Sequence, residues 1–213
     1  MRLTMTNKSN SKNSSNIFRR SRIRNSKTPH NPNAKITRFF TPWRSPNDFP
    51  AECDVKTILF LSKRGMTRAP SAREVMRTLI ERSEWFGKVD VFSAGVTKAY
   101  DECPIDQRMK AFSKEFGYRL QARSSFANPS ILADADIIVT LDRESQEFVG
   151  LQKRSIRGKI HPLGVFMAPG CEPYVQDPYE RDDDVDVNEC YEDIISSIEY
   201  GCSKLSSALP TLI

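Results

Sequence analysis

The short, continuous apolar run Thr57-Ile-Leu-Phe-Leu61 constrains the fold more than any other stretch of this sequence. A strand with one wet face alternates apolar and polar residues, so an unbroken run predicts a strand covered on both faces, the hallmark of a parallel sheet. The residues after it fit a strand–loop–helix unit. Residues 62–69 form a loop containing Gly65, and Pro70 suits the first turn of a helix reaching about residue 83, with Ala72, Val75, Met76, Leu79 and Ile80 on one side. The alternation then repeats. Strands are predicted at 89–93, 136–141 and 159–163, and helices from about Pro104 to Gly117, over 143–151 and over 187–209. Strands alternating with helices predict an α/β fold, a doubly wound four-stranded parallel sheet flanked by helices. Such sheets bind ligands at the carboxyl ends of their strands, where the 62–69 loop lies.

Charge divides the chain in two. Residues 1–50 carry 11 Lys/Arg and one acid, Asp48, whereas residues 51–213 carry 21 Lys/Arg and 26 Asp/Glu. The first segment is therefore +10 and the second −5, and the overall +5 belongs to the tail. The tail is rich in Asn, Ser and basic residues and poor in periodic apolar ones, so it is expected to be disordered. Residues 39–49, with Trp43 and two prolines, read as a linker. The expected organisation is a tail and linker over 1–50 and one folded domain over 51–213. The tail's charge would allow nonspecific contact with nucleic acid or an anionic surface.

No stretch of about 18 apolar residues is present, so no transmembrane segment is expected. Five scattered cysteines form no CxxC and no metal-ligand pattern, and the N-terminus has no apolar secretory core. Neither metal nor cofactor is expected, and a cytoplasmic, reducing location is the reading. No pattern specifies an oligomer.

A tight loop between a strand and a helix N-terminus aims backbone N–H groups at one point, which makes an anion site. Ser62, Lys63, Arg64, Gly65, Met66, Thr67 and Arg68 form that loop. Gly65 permits a left-handed turn, and Arg68 stands where a guanidinium fork can grip two phosphate oxygens. Lys63 and Arg64 are extra cations, expected to be solvated at the rim, with a preference for acidic phosphopeptides as the alternative. The bland alternative for Arg68 is pairing with a neighbouring carboxylate.

In register, Ile58-Leu-Phe-Leu-Ser62-Lys-Arg-Gly-Met-Thr-Arg68-Ala69-Pro70 resembles the motif of the low-molecular-weight protein tyrosine phosphatases: a hydrophobic strand, Cys, five residues, Arg, Ser, Pro. The resemblance continues through Ser93-Ala-Gly95, residues 104–108, Ala122-Arg123, residues 137–142 and Asp177-Pro-Tyr179. It implies a hydrolase fold in which Arg68 clamps phosphate, Asp177 stands at the general-acid position, and Tyr179 with Tyr100 walls a phosphotyrosine ring. The implied ligand is a phosphotyrosine protein or a small phosphomonoester.

The family's nucleophile is a cysteine, and here its position holds Ser62. Free cysteine has a pKa of about 8.5, whereas a serine hydroxyl lies closer to water at about 15.7. That gap of roughly seven units is about 10 kcal/mol, and a helix N-terminus supplies at most about 2 kcal/mol. Serine nucleophiles need an adjacent base, and the two histidines, His30 and His161, lie outside the loop. The family's mid-loop Asn, the Ser after Arg and a loop-supporting His are replaced by Gly65, Ala69 and Gln121. The expectation is a pseudophosphatase that binds phosphate esters. The alternatives are an active phosphatase and an interaction protein acting through its basic tail.

Overall fold

The computed structural model describes residues 55–180 and 186–213. The predicted tail, the linker and most of the acidic run 182–186 lie outside them. Four parallel strands form one sheet in the order β2-β1-β3-β4: β1 (Lys56–Ser62), β2 (Val89–Gly95), β3 (Ile137–Thr140) and β4 (Lys159–Pro162). β1 is hydrogen-bonded on both edges, which explains its unbroken apolar run. Ile58 and Phe60 face one layer and Leu59 and Leu61 the other, all fully buried.

The first layer contains α1 (Arg68–Glu81), α2 (Gln107–Glu115) and the long α5 (Val187–Leu212), packed through Met76, Met109, Ile198 and Leu205. The second contains α3 (Pro129–Asp134) and α4 (Arg143–Leu151), with Leu132, Ile138 and Val149 at its centre. Helices on both faces of a parallel sheet make the doubly wound α/β architecture expected.

Three helices depart from the sequence reading. α2 begins at Gln107 and not near Pro104, because the Pro104 region bridges to Arg123 and the Ile105 amide donates to the Ala122 carbonyl. Asp106 then caps the helix, accepting from the Arg108 and Met109 amides at 2.8 and 3.0 Å. α3 was not anticipated; its signal is Asn128-Pro129, where Asn128 accepts from the Ile131 amide at 3.0 Å. α5 continues past Pro210 to Leu212 and was expected to stop at Leu209. Near a helix end a proline forfeits one backbone bond, and the Ile213 amide still reaches the Leu209 carbonyl at 3.1 Å.

Candidate active site

β1 delivers the chain at Ser62 to the carboxyl edge of the sheet, and α1 starts at Arg68, so residues 62–68 turn sharply between them. Gly65 makes the turn with φ +68°, the left-handed region expected of it. It also lies main chain to main chain on β2. A Cβ at Gly65 would sit 2.5 Å from the Gly95 nitrogen, and one at Gly95 would sit 2.6 Å from the Arg64 oxygen. The amides of Val96 and Thr97 donate to the Ser62 and Lys63 carbonyls at 3.0 Å each, tying the loop to the segment after β2.

Asp142, at the end of β3, holds the loop from the other side. Its Oδ1 caps α4 by accepting from the Ser145 amide at 2.8 Å, while its Oδ2 accepts from the Lys63 amide at 2.7 Å and pairs with Arg68 Nη2 at 2.9 Å. One carboxylate thus starts a helix and orients the loop. The sequence motif through residue 142 was visible, but this role was not. A capping Asp after the neighbouring strand was the available signal.

Arg68 is 3% exposed. Its Nη1 donates to the Val175 carbonyl at 2.9 Å, and its Nη2 meets both Asp142 and Asp177, the latter at 2.7 Å. The bland alternative, pairing with carboxylates, is therefore present. Its Nε, however, is buried with no hydrogen-bond partner. Among the described residues the amides of Arg64, Met66, Thr67 and Arg68 also find no protein acceptor. A buried donor without an acceptor is costly unless a ligand completes it, so Arg68 Nε and the neighbouring loop amides are chemically suited to receive an anion.

Ser62 is buried, and its Oγ accepts from the Gly65 amide at 3.2 Å, the one partner it has among the described residues. The hydroxyl proton remains free to be donated to an anion. His161 sits on β4, with its ring edge-on to Phe166 at 5.4 Å between centroids. Burial, then the charge of Lys159, holds its pKa below the usual imidazole value.

Lys63 and Arg64 are not simply solvated at the rim, as the sequence reading had them. Lys63 Nζ bridges Glu144 at 2.7 Å and Glu180 at 2.8 Å. Hydrogen bonds that Lys63 donates to these carboxylates raise its pKa, and the bond it donates to Glu144 lowers that carboxyl's. Arg64 turns inward instead. Its Nη1 is 3.3 Å from both oxygens of Asp177, and its guanidinium carbon lies 4.6 Å from the Tyr179 ring centroid and 5.8 Å from that of Tyr100. Burial opposes its charge, but Tyr100 and Asp177 outweigh that and raise its pKa.

Tyr100 and Tyr179, the expected wall residues, both lie within cation–π range of the Arg64 guanidinium. Asp177, expected at the acid position, is 8% exposed and accepts from Arg64, Arg68 and the Tyr179 amide. Tyr179 donates its hydroxyl to Asp106 Oδ2 at 2.6 Å, and Tyr191 approaches Oδ1 at 3.5 Å. Burial, then the Asp106 carboxylate, raises both phenols, Tyr191 to about 12. Gln121 lies behind the loop, accepting from Arg73 Nη1 at 2.9 Å and Ser93 Oγ at 3.3 Å. Among the described residues no group of three or more His, Cys, Asp or Glu side chains is arranged for a metal ion. None of their helices is long and apolar enough to cross a membrane.

Residues 57–211 match the model of a family described as low molecular weight phosphotyrosine protein phosphatase. A Synechocystis protein, provisionally named a low molecular weight protein-tyrosine-phosphatase, is 25% identical over 156 residues, covering 71% of this chain and 95% of its own. Among solved structures, a protein tyrosine phosphatase from Entamoeba histolytica superposes with a TM-score of 0.66 at 22% identity, over 73% of this chain and 97% of that one. A Drosophila arginine phosphatase does so with a TM-score of 0.62 at 18% identity, over 71% and 96%. At these identities the two structures speak to the fold.

Proposed function

Because the chain belongs to the low molecular weight phosphotyrosine protein phosphatase family, we propose that its 62–68 loop binds phosphate and phosphomonoesters but turns them over poorly or not at all. In this reading Ser62 stands where the nucleophilic cysteine would, Arg68 clamps the phosphoryl group, and Asp177 holds the general-acid position. Tyr100 and Tyr179 form the walls.

The observation that carries the binding half is the buried, unpartnered Nε of Arg68 beside the unpaired loop amides. A dianion entering there meets donors from main chain and guanidinium together. Nη2 stays with Asp142 and Asp177, so the clamp is already oriented before ligand arrives. Ser62 supports the impaired half. Its Oγ touches an amide and no base, which leaves the roughly 10 kcal/mol between a serine alkoxide and a cysteine thiolate without compensation. A hydroxyl in that position serves as one more donor to the bound anion.

Two measurements test this. Isothermal titration with inorganic phosphate should show binding that weakens at least about tenfold in Arg68→Lys, which keeps the charge but loses the fork. No heat with the unaltered protein overturns the binding claim. At saturating p-nitrophenyl phosphate, Ser62→Cys should raise turnover at least about a hundredfold. Robust turnover by the Ser62 protein, abolished in Ser62→Ala, would instead establish an active serine-dependent phosphatase.

A further inference from the structure

We propose that Arg64 decides which phosphomonoesters this site accepts: its guanidinium fills the slot between Tyr100 and Tyr179, so compact alkyl phosphates and free phosphate are taken ahead of aryl phosphates such as phosphotyrosine. The inference rests on the phosphate-binding reading of the 62–68 loop and narrows it.

A guanidinium is flat and delocalised, and it stacks on aromatic faces much as a ring would. Arg64 sits 4.6 Å from the Tyr179 centroid and 5.8 Å from the Tyr100 centroid, within the range of cation–π contact for both. It is fixed from a third direction by Asp177, whose oxygens both lie 3.3 Å from Nη1. The Arg64 side chain is accordingly only 22% exposed although it belongs to a surface loop.

The Tyr179 wall is fixed as well. Its hydroxyl is tied to Asp106 at 2.6 Å and its amide to Asp177 at 3.0 Å, so it is held at both ends. A phenyl group entering this slot must displace Arg64 from two ring faces and from a carboxylate at once. A methyl or ethyl group has no ring to seat and leaves Arg64 in place. The retained cation then adds to the field that favours a dianion in the adjacent cradle. The same fold carries tyrosine and arginine phosphatases, so fold alone leaves the leaving group open and the slot's contents decide it.

The test is a titration series with inorganic phosphate, ethyl phosphate and phenyl phosphate against the full chain, Arg64→Ala and the double variant Arg64→Ala/Tyr179→Ala. The full chain should bind ethyl phosphate at least about tenfold more tightly than phenyl phosphate. Arg64→Ala should weaken inorganic and ethyl phosphate through the lost charge, yet shift the phenyl-to-ethyl affinity ratio at least about tenfold towards phenyl. Adding Tyr179→Ala should erase that shift, which a merely structural role for Arg64 would not produce. Equal affinity of the full chain for both esters, or an unchanged ratio in Arg64→Ala, overturns this inference while leaving phosphate binding intact. Failure of inorganic phosphate to bind the full chain overturns the phosphate reading itself.

Discussion

Arg68 and His161 each hold a nitrogen away from water, and they solve that problem in opposite ways. A buried charge needs partners, and Arg68 has three oxygens around its two terminal nitrogens. His161 has an orphaned Nε2 and a neighbouring Lys159, so its neutral form is favoured and its pKa lies below the usual value. In the unfolded chain the same imidazole protonates near its ordinary pKa of about 6.5. A depressed folded-state value means its contribution to stability is fully present above that pH and is lost as pH falls through the folded value. Urea unfolding between about pH 7.5 and 5 should therefore show stability declining with acid, and His161→Phe should flatten that decline. An unchanged slope in the variant would remove His161 as its source. Legibility at this scale tracks sequence distance. The loop residues are contiguous, so the turn at Gly65 into a helix could be read directly. Asp142 and the inward turn of Arg64 depend on partners some 79 and 113 residues away, and no local pattern announces them.

Between elements, the contact of Gly65 with Gly95 sets the loop against β2 with no side chain in between. An alanine at Gly65 would meet two penalties: a left-handed backbone costs about 1–2 kcal/mol, and pushing a Cβ into backbone costs about 1–3 kcal/mol more. Gly65→Ala is thus expected to lose about 2–5 kcal/mol, read as a lower urea midpoint at constant slope. A loss under about 0.5 kcal/mol would mean the loop re-forms without the contact. Element boundaries were readable where a cap and periodicity agree: α4 runs over Arg143–Leu151 as expected, with a capping box from Asp142. They were unreadable where a proline misled. Pro104 resembles a first helical residue, yet its neighbourhood is spent on a bridge to Arg123, and Pro210 resembles a stop but lies within the last turns of α5. The six residues of α3 are too few to carry a helical period.

For the whole chain, we propose from the opposition of +10 over residues 1–50 to −5 over 51–213 that the two parts divide the labour. The described fold and every residue of the candidate site lie within 55–213. We expect a chain starting at residue 51 to melt within about 2 °C of the full chain and to bind inorganic phosphate within about twofold of it. Binding to duplex DNA or anionic vesicles should be seen with the full chain alone and should weaken steeply with salt. A truncated chain that loses phosphate binding would place part of the cradle in the first 50 residues. A full chain indifferent to polyanions would leave the tail's charge without this role.

The seam where Gly65 rests on Gly95 also bears on how such a molecule changes over generations. Main chain supports main chain there, so the Gly65–Gly95 contact itself needs no side chain from position 62, 64 or 69. Form and reactivity become separately heritable. A substitution at a neighbouring position can change what the loop offers while this seam of main chain stays as it is.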